Sequence, residues 1–188
     1  MAKVVFDFDD VLWDCNLVAC ERTGIPFYKL NRYNVMEMPL LTQDEKIRLT
    51  KAYEDPTLWD DIILYEGAEK IFDLPADVYI NSLCTSQGNR DRKLQFCREV
   101  FKQDDSHFVL QLSEVNGVKD VGPDVDILVE DSPGNILHNS AKWNILIHKP
   151  YNAPEAIGDM LASKKVFRCY NLLEALRKCE ELLKVEVN

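Results

Sequence analysis

The chain has 188 residues, 46% of them hydrophobic and 29% charged, which suits one ordinary core and leaves little room for a second full domain. Lys and Arg number 22 against 32 Asp and Glu, a formal charge of −10, and there is no long basic stretch. Such a balance repels a nucleic-acid polymer, and no apolar run reaches the roughly 18 to 20 residues of a membrane span.

The opening Met1-Ala2-Lys3-Val4-Val5-Phe6-Asp7 puts a carboxylate where a signal peptide needs its apolar core, so a cytoplasmic protein without membrane contact is expected. The six cysteines (15, 20, 84, 97, 169 and 179) include no Cys-x-x-Cys pair, and the three histidines stand near none of them in sequence. They are expected as small, reduced residues of the interior rather than as zinc ligands.

In chain order, Lys3 to Phe6 is a short β-rich apolar run ending at Asp7, which predicts a buried strand. Residues 16–65 then contain no clear strand. Their best helix starts at a Thr42–Glu45 capping box, runs to about Tyr53 and is ended by Pro56. Further apolar runs follow at Val78 to Cys84, Phe108 to Leu112, Ile127 to Val129 and Ile145 to Ile147. Helical spacing marks Asn89 to Phe101, and again the stretch after Asn171, a cap with Glu174 three residues on. Strands alternating with helices predict an α/β protein, a three-layer Rossmann-like core around a central parallel sheet. Residues 1–15 and 66–188 form that core, and 16–65 form a small helical cap inserted after the first strand. Active sites of such sheets lie beyond the carboxyl ends of the strands.

Two of these strand ends are acidic. Val4-Val5-Phe6-Asp7-Phe8-Asp9-Asp10-Val11-Leu12 gathers three acids within four positions, a costly arrangement unless a cation offsets the repulsion. Ile127-Leu128-Val129-Glu130-Asp131-Ser132-Pro133-Gly134-Asn135 is the second. A small anionic substrate held there by a metal ion would need a hydroxyl and a cation as well. Val78-Tyr79-Ile80-Asn81-Ser82-Leu83-Cys84-Thr85-Ser86 offers Ser82 or Thr85 for the first. Lys119 or Lys93 could supply the second. Thr-Ser-Gln-Gly at 85–88 opens into the next helix, and Lys93 lies inside that helix.

The first segment resembles the Asp-x-Asp-x-(Val/Thr) signature of the haloacid dehalogenase superfamily, and the second resembles its acidic fourth signature. The resemblance implies a magnesium-dependent phosphomonoester hydrolase. Asp7 would be the nucleophile that forms an aspartyl-phosphate, and Asp9 the general acid and then base. Thr85 and Lys119 would hold the phosphoryl oxygens. Mg²⁺ would be bound by Asp7, by the backbone carbonyl of Asp9 and by Asp131, with Glu130 behind them and Asp10 in a lesser role. A dehalogenase would have no use for an acidic metal site.

Within the superfamily, Tyr53-Glu54-Asp55-Pro56-Thr57-Leu58-Trp59, Ile62 to Tyr65, Gly67-Ala68 and Cys84-Thr85-Ser86 are similar to the 5′(3′)-deoxyribonucleotidases. That similarity implies a nucleoside monophosphate substrate, with Ser86 and Tyr53 in its binding site. Trp13, Phe27, Tyr28 and Tyr33 are further candidates for stacking a base. Cys15 stands where those enzymes carry an aromatic residue, and Asp10 where they carry Gly. The alternatives are a phosphatase for another small ester, such as a sugar phosphate or phosphoglycolate, and a catalytically silent binding module. A homodimer is left open.

Overall fold

The computed structural model describes residues 1–113 and 117–186, except the Glu186 side chain. Six strands, β1 (Lys3–Phe6), β2 (Asp77–Cys84), β3 (Phe108–Leu112), β4 (Ile127–Glu130), β5 (Trp143–Ile147) and β6 (Val166–Cys169), form one parallel sheet in the order β3-β2-β1-β4-β5-β6. The first five coincide with the apolar runs expected. The sixth, Val-Phe-Arg-Cys, is too short and too broken by Arg168 to stand out as one.

Both faces of the sheet are covered, as a parallel sheet requires. On β1, Val4 and Phe6 join the large cluster that includes Ile80, Ile127 and Val129, while Val5 packs with Val121, Val125 and Leu128 on the other side. Alternation along a four-residue strand therefore feeds two layers. The chain runs from β1 outward to β3, then returns to place β4 on the other flank of β1. Phe6 is thus paired with both Ile80 and Val129. This reversal is the crevice where open α/β sheets bind ligands, and Asp7 and Asp131 both emerge there.

Between β1 and β2 lie α1 (Cys15–Thr23) and α2 (Gln43–Glu54), with short 3₁₀ turns around them. Helix α2 has the capping box expected: Thr42 Oγ1 accepts from the Glu45 amide at 3.2 Å, and Glu45 Oε2 accepts from the Thr42 amide at 2.8 Å. Helix α1 was not legible, because its buried residues Cys15, Ala19 and Cys20 are small and make a weak apolar stripe. Gly67 follows at φ +91°, a left-handed conformation that favours glycine.

Helix α3 (Gln87–Phe101) starts two residues before the expected Asn89, because Ser86 caps it by accepting from the Asn89 amide. Helices α4 (Pro133–His138) and α5 (Pro154–Ile157) are short. Helix α6 (Leu172–Glu186) packs on β5 and β6, and Asn171 accepts from the Glu174 amide as the cap spacing implied. All six cysteines are buried and unpaired. No helix among the described residues is long and apolar enough to cross a membrane.

Candidate active site

Asp7 leaves the end of β1 into a cavity whose floor also includes Asp9, Asp10, Lys119 and Asp131. Its amide bonds the Val129 carbonyl at 2.8 Å, continuing the sheet by one residue and fixing where the carboxylate points. Lys119 Nζ sits 2.6 Å from Asp7 Oδ1 and 2.7 Å from Glu130 Oε2. Burial disfavours charge on this lysine, but Asp7 and Glu130 outweigh it and hold its pKa above the usual lysine value. Burial, then repulsion from Glu130, raises Asp7 well above the carboxylate range, with Lys119 opposing.

Asp7, Glu130 and Asp131 each offer an oxygen, and these atoms lie within 4.8 Å of one another among buried residues. Three buried carboxylates beside a single ammonium leave excess negative charge. Asp131, too, is raised by burial and then by Asp7. A set of hard oxygen donors carrying surplus negative charge fits a divalent cation of the magnesium type. Glu130 leans away from the cavity: it also accepts from the Ser132 amide and Asn135 Nδ2, each at 3.2 Å, and organises the start of α4.

Asp9 points elsewhere. Its Oδ2 accepts from Lys93 Nζ at 2.7 Å and from Ser82 Oγ at 3.0 Å, while Oδ1 accepts from Trp13 Nε1 at 3.0 Å. Lys93 is fully buried inside α3, with its ammonium 4.2 Å from the Trp59 ring centroid. Burial again opposes its charge and Asp9 outweighs it, so its pKa lies above normal. The two candidate lysines thus divide the two carboxylates: Lys119 serves Asp7 and Lys93 serves Asp9.

The candidate hydroxyls divide as well. Ser82 is inside β2, wholly buried and bonded to Asp9 and Lys93. Thr85, just past the strand, lines the cavity; its hydroxyl donates to the Tyr53 carbonyl at 3.2 Å and accepts from Asn89 Nδ2 at 2.5 Å. Ser86 caps α3 and lies outside the cavity lining.

Of the aromatic residues proposed for stacking, Tyr53 and Tyr33 line the cavity, whereas Trp13, Phe27 and Tyr28 do not. Trp13 is fully buried against Phe8 and Trp59 and uses its one donor on Asp9. Tyr28 is 73% exposed.

Sequence reasoning gave no role to Asn16, Asn89 or Tyr151. Asp10 has φ +59°, the left-handed region that costs an ordinary residue about 1 to 2 kcal/mol. Its carboxylate accepts from both the backbone amide and the side-chain amide of Asn16, and Tyr151 Oη approaches it at 3.3 Å. These bonds offset the strain and explain how an aspartate stands where glycine would be free. The hydroxyl of Tyr53 in turn donates to Asn16 Oδ1. Polar residues from three separate chain segments thus meet at one wall, which no local pattern announces.

No protein-family model matches the sequence, and no curated protein sequence matches it. Solved structures do match in fold. A hydrolase from Pseudomonas syringae superposes with a TM-score of 0.55 at 14% identity, covering 96% of this chain and 99% of that one. A HAD-superfamily hydrolase of subfamily IA from Geobacter sulfurreducens gives 0.50 at 18% identity, with 95% and 96% covered. A provisional β-phosphoglucomutase from Bacteroides vulgatus gives 0.55 at 13% identity, with 98% and 89% covered. The chain therefore has the Rossmann-like α/β fold of the haloacid dehalogenase-type hydrolases.

Proposed function

We propose that this chain is a magnesium-dependent phosphomonoester hydrolase that works through an aspartyl-phosphate on Asp7, with nucleoside monophosphates as substrates. The observation that carries this reading is the pairing of Asp7 with Lys119 beside Glu130 and Asp131 at the crevice of the sheet. Asp7 and Asp131, with the Asp9 backbone carbonyl, would hold Mg²⁺, which when bound neutralises phosphate charge and polarises phosphorus for attack.

Asp7 attacks phosphorus and displaces the alcohol, splitting hydrolysis into two easier steps. Lys119 stays on the Asp7 side and meets the charge that builds on the phosphoryl oxygens. Asp9 protonates the leaving oxygen, then takes a proton from the water that cleaves the aspartyl-phosphate. The first of these transfers requires Asp9 to take up a proton and exchange its Lys93 contact for the leaving oxygen. Thr85 likewise turns its hydroxyl from the Tyr53 carbonyl to a phosphoryl oxygen.

In this reading residues 16–65 are a cap over the site. Tyr53 and Tyr33 are the aromatic residues of the cavity wall that would meet a base, with the Asn16 side chain beside them for its polar edge. A second reading is favoured by Arg32. It lines the cavity mouth with a carbonyl contact at 3.4 Å from Ala156, and would suit an ester bearing a further anion, such as phosphoglycolate.

Phosphate release from 5′- and 3′-nucleoside monophosphates, sugar phosphates and phosphoglycolate, with Mg²⁺ and with EDTA, tests the proposal. Magnesium-dependent turnover strongest on deoxynucleotides is expected. Turnover confined to the other esters would discard the nucleotide and keep the chemistry. No release from any ester would leave the silent binding module as the reading to pursue.

A further inference from the structure

The short turn Pro150–Asn152 after β5 makes two contacts with one residue. Tyr151 Oη donates to Asp131 Oδ2 at 2.5 Å, and Asn152 Nδ2 donates to the Asp131 carbonyl at 2.7 Å. Asn152 is itself fixed: Nδ2 also donates to the Ile147 carbonyl at 2.7 Å, and Oδ1 accepts from the Lys149 amide and Arg168 Nη1, each at 2.9 Å. Both Tyr151 and Asn152 are buried. The Tyr151 ring packs edge-on against Tyr33, with centroids 5.9 Å apart.

The Tyr151 hydroxyl has one proton and two carboxylates within reach. The 2.5 Å bond to Asp131 is far shorter than the 3.3 Å approach to Asp10, whose oxygens are already served by Asn16. Asp131 Oδ2 is thereby engaged, and the carboxylate it belongs to sits with those of Asp7 and Glu130, one oxygen of each within 4.8 Å of the others.

We infer that Tyr151 is a positioning residue for the cation, fixing the Asp131 carboxylate so that one oxygen is presented to the ion. A ligating carboxylate that must first be ordered binds less tightly, and such supporting hydrogen bonds typically matter by about 10- to 100-fold in metal affinity. This inference rests on the proposed metal-dependent reading.

The test is calorimetric titration of Mg²⁺ into resting wild-type protein and into Tyr151→Phe, which keeps the ring and its packing on Tyr33. Expected is an affinity about 10- to 100-fold lower in the variant, a smaller rise of Tm with added Mg²⁺, and recovery of kcat for p-nitrophenyl phosphate at high Mg²⁺. Equal Mg²⁺ affinity and an equal Tm rise in the two proteins would overturn the role of Tyr151 while leaving the metal site standing. Failure of the wild type itself to bind Mg²⁺ would instead overturn the underlying reading. Should Tyr151→Phe lose stability without Mg²⁺, the size of its Mg²⁺-induced Tm rise relative to wild type still decides the point.

Discussion

Lys119 Nζ lies 2.6 Å from Asp7 Oδ1 and 2.7 Å from Glu130 Oε2, with all three side chains buried. One ammonium therefore serves two carboxylates at the centre of the sheet. Lys119→Ala leaves Asp7 and Glu130 facing each other and removes the cation from the phosphoryl oxygens. A fall in kcat of about 10²-fold or more is expected, from the usual size of lost transition-state charge stabilisation. Steady-state rates on p-nitrophenyl phosphate at saturating Mg²⁺ check it, and a fall of less than threefold would reject this role for Lys119.

Thr85 is expected to contribute a hydrogen bond to a charged oxygen, a bond of about 1.5 to 3 kcal/mol. Thr85→Val should then lower kcat/KM by about 10- to 150-fold, since 1.4 kcal/mol is a factor of ten. Because Thr85 also bonds the Tyr53 carbonyl, hydrogen exchange at the end of α2 should quicken in the same variant. Unchanged kcat/KM would remove Thr85 from the phosphate site.

Much of this was legible because it is local. A β-rich run ending in acids identifies both the strand and the crevice it points into, as at Val4 to Asp7 and Ile127 to Asp131. Capping boxes are equally local, and the Thr42–Glu45 pair is one. What escaped depends on contacts distant in sequence. Lys93 reads as a helix-interior lysine until α3 is docked, when it meets Asp9, 84 positions away. Tyr151 sits beyond every recognisable motif, yet reaches Asp131 from the turn after β5. Trp13 looked free to stack a base because nothing in its neighbourhood reveals that Phe8 and Trp59 enclose it.

The start of α2 has a measurable pH signature. A hydrogen bond from Lys29 at 2.7 Å, and next the Thr42 amide, hold Glu45 at about 2 against an ordinary 4.5. A carboxyl whose folded pKa is depressed stabilises the fold above its unfolded pKa, and that contribution fades as pH falls through the folded value. Glu45→Gln should therefore lower the urea midpoint at pH 7, with the gap from wild type closing between about pH 4.5 and pH 2. A gap that stayed constant across that window would show that Glu45 is not held in this way.

Leu49 is the fully buried residue of α2 and joins the main core cluster. Leu49→Ala should cost about 2 to 5 kcal/mol of unfolding free energy, the usual range for a buried leucine that leaves a cavity. Denaturant unfolding measures it; a cost under 1 kcal/mol would mean that the segment between β1 and β2 collapses around the missing side chain.

The most direct test of the central claim is Asp7→Asn. The substitution keeps the size of the side chain and removes the nucleophilic oxygen charge. Expected is loss of magnesium-dependent phosphate release to background, with an unchanged circular dichroism spectrum, and loss of the acid-stable phosphoprotein that rapid quench should trap in the wild type. Phosphate release by Asp7→Asn at a rate near that of the wild type would contradict the assignment of Asp7 as the nucleophile.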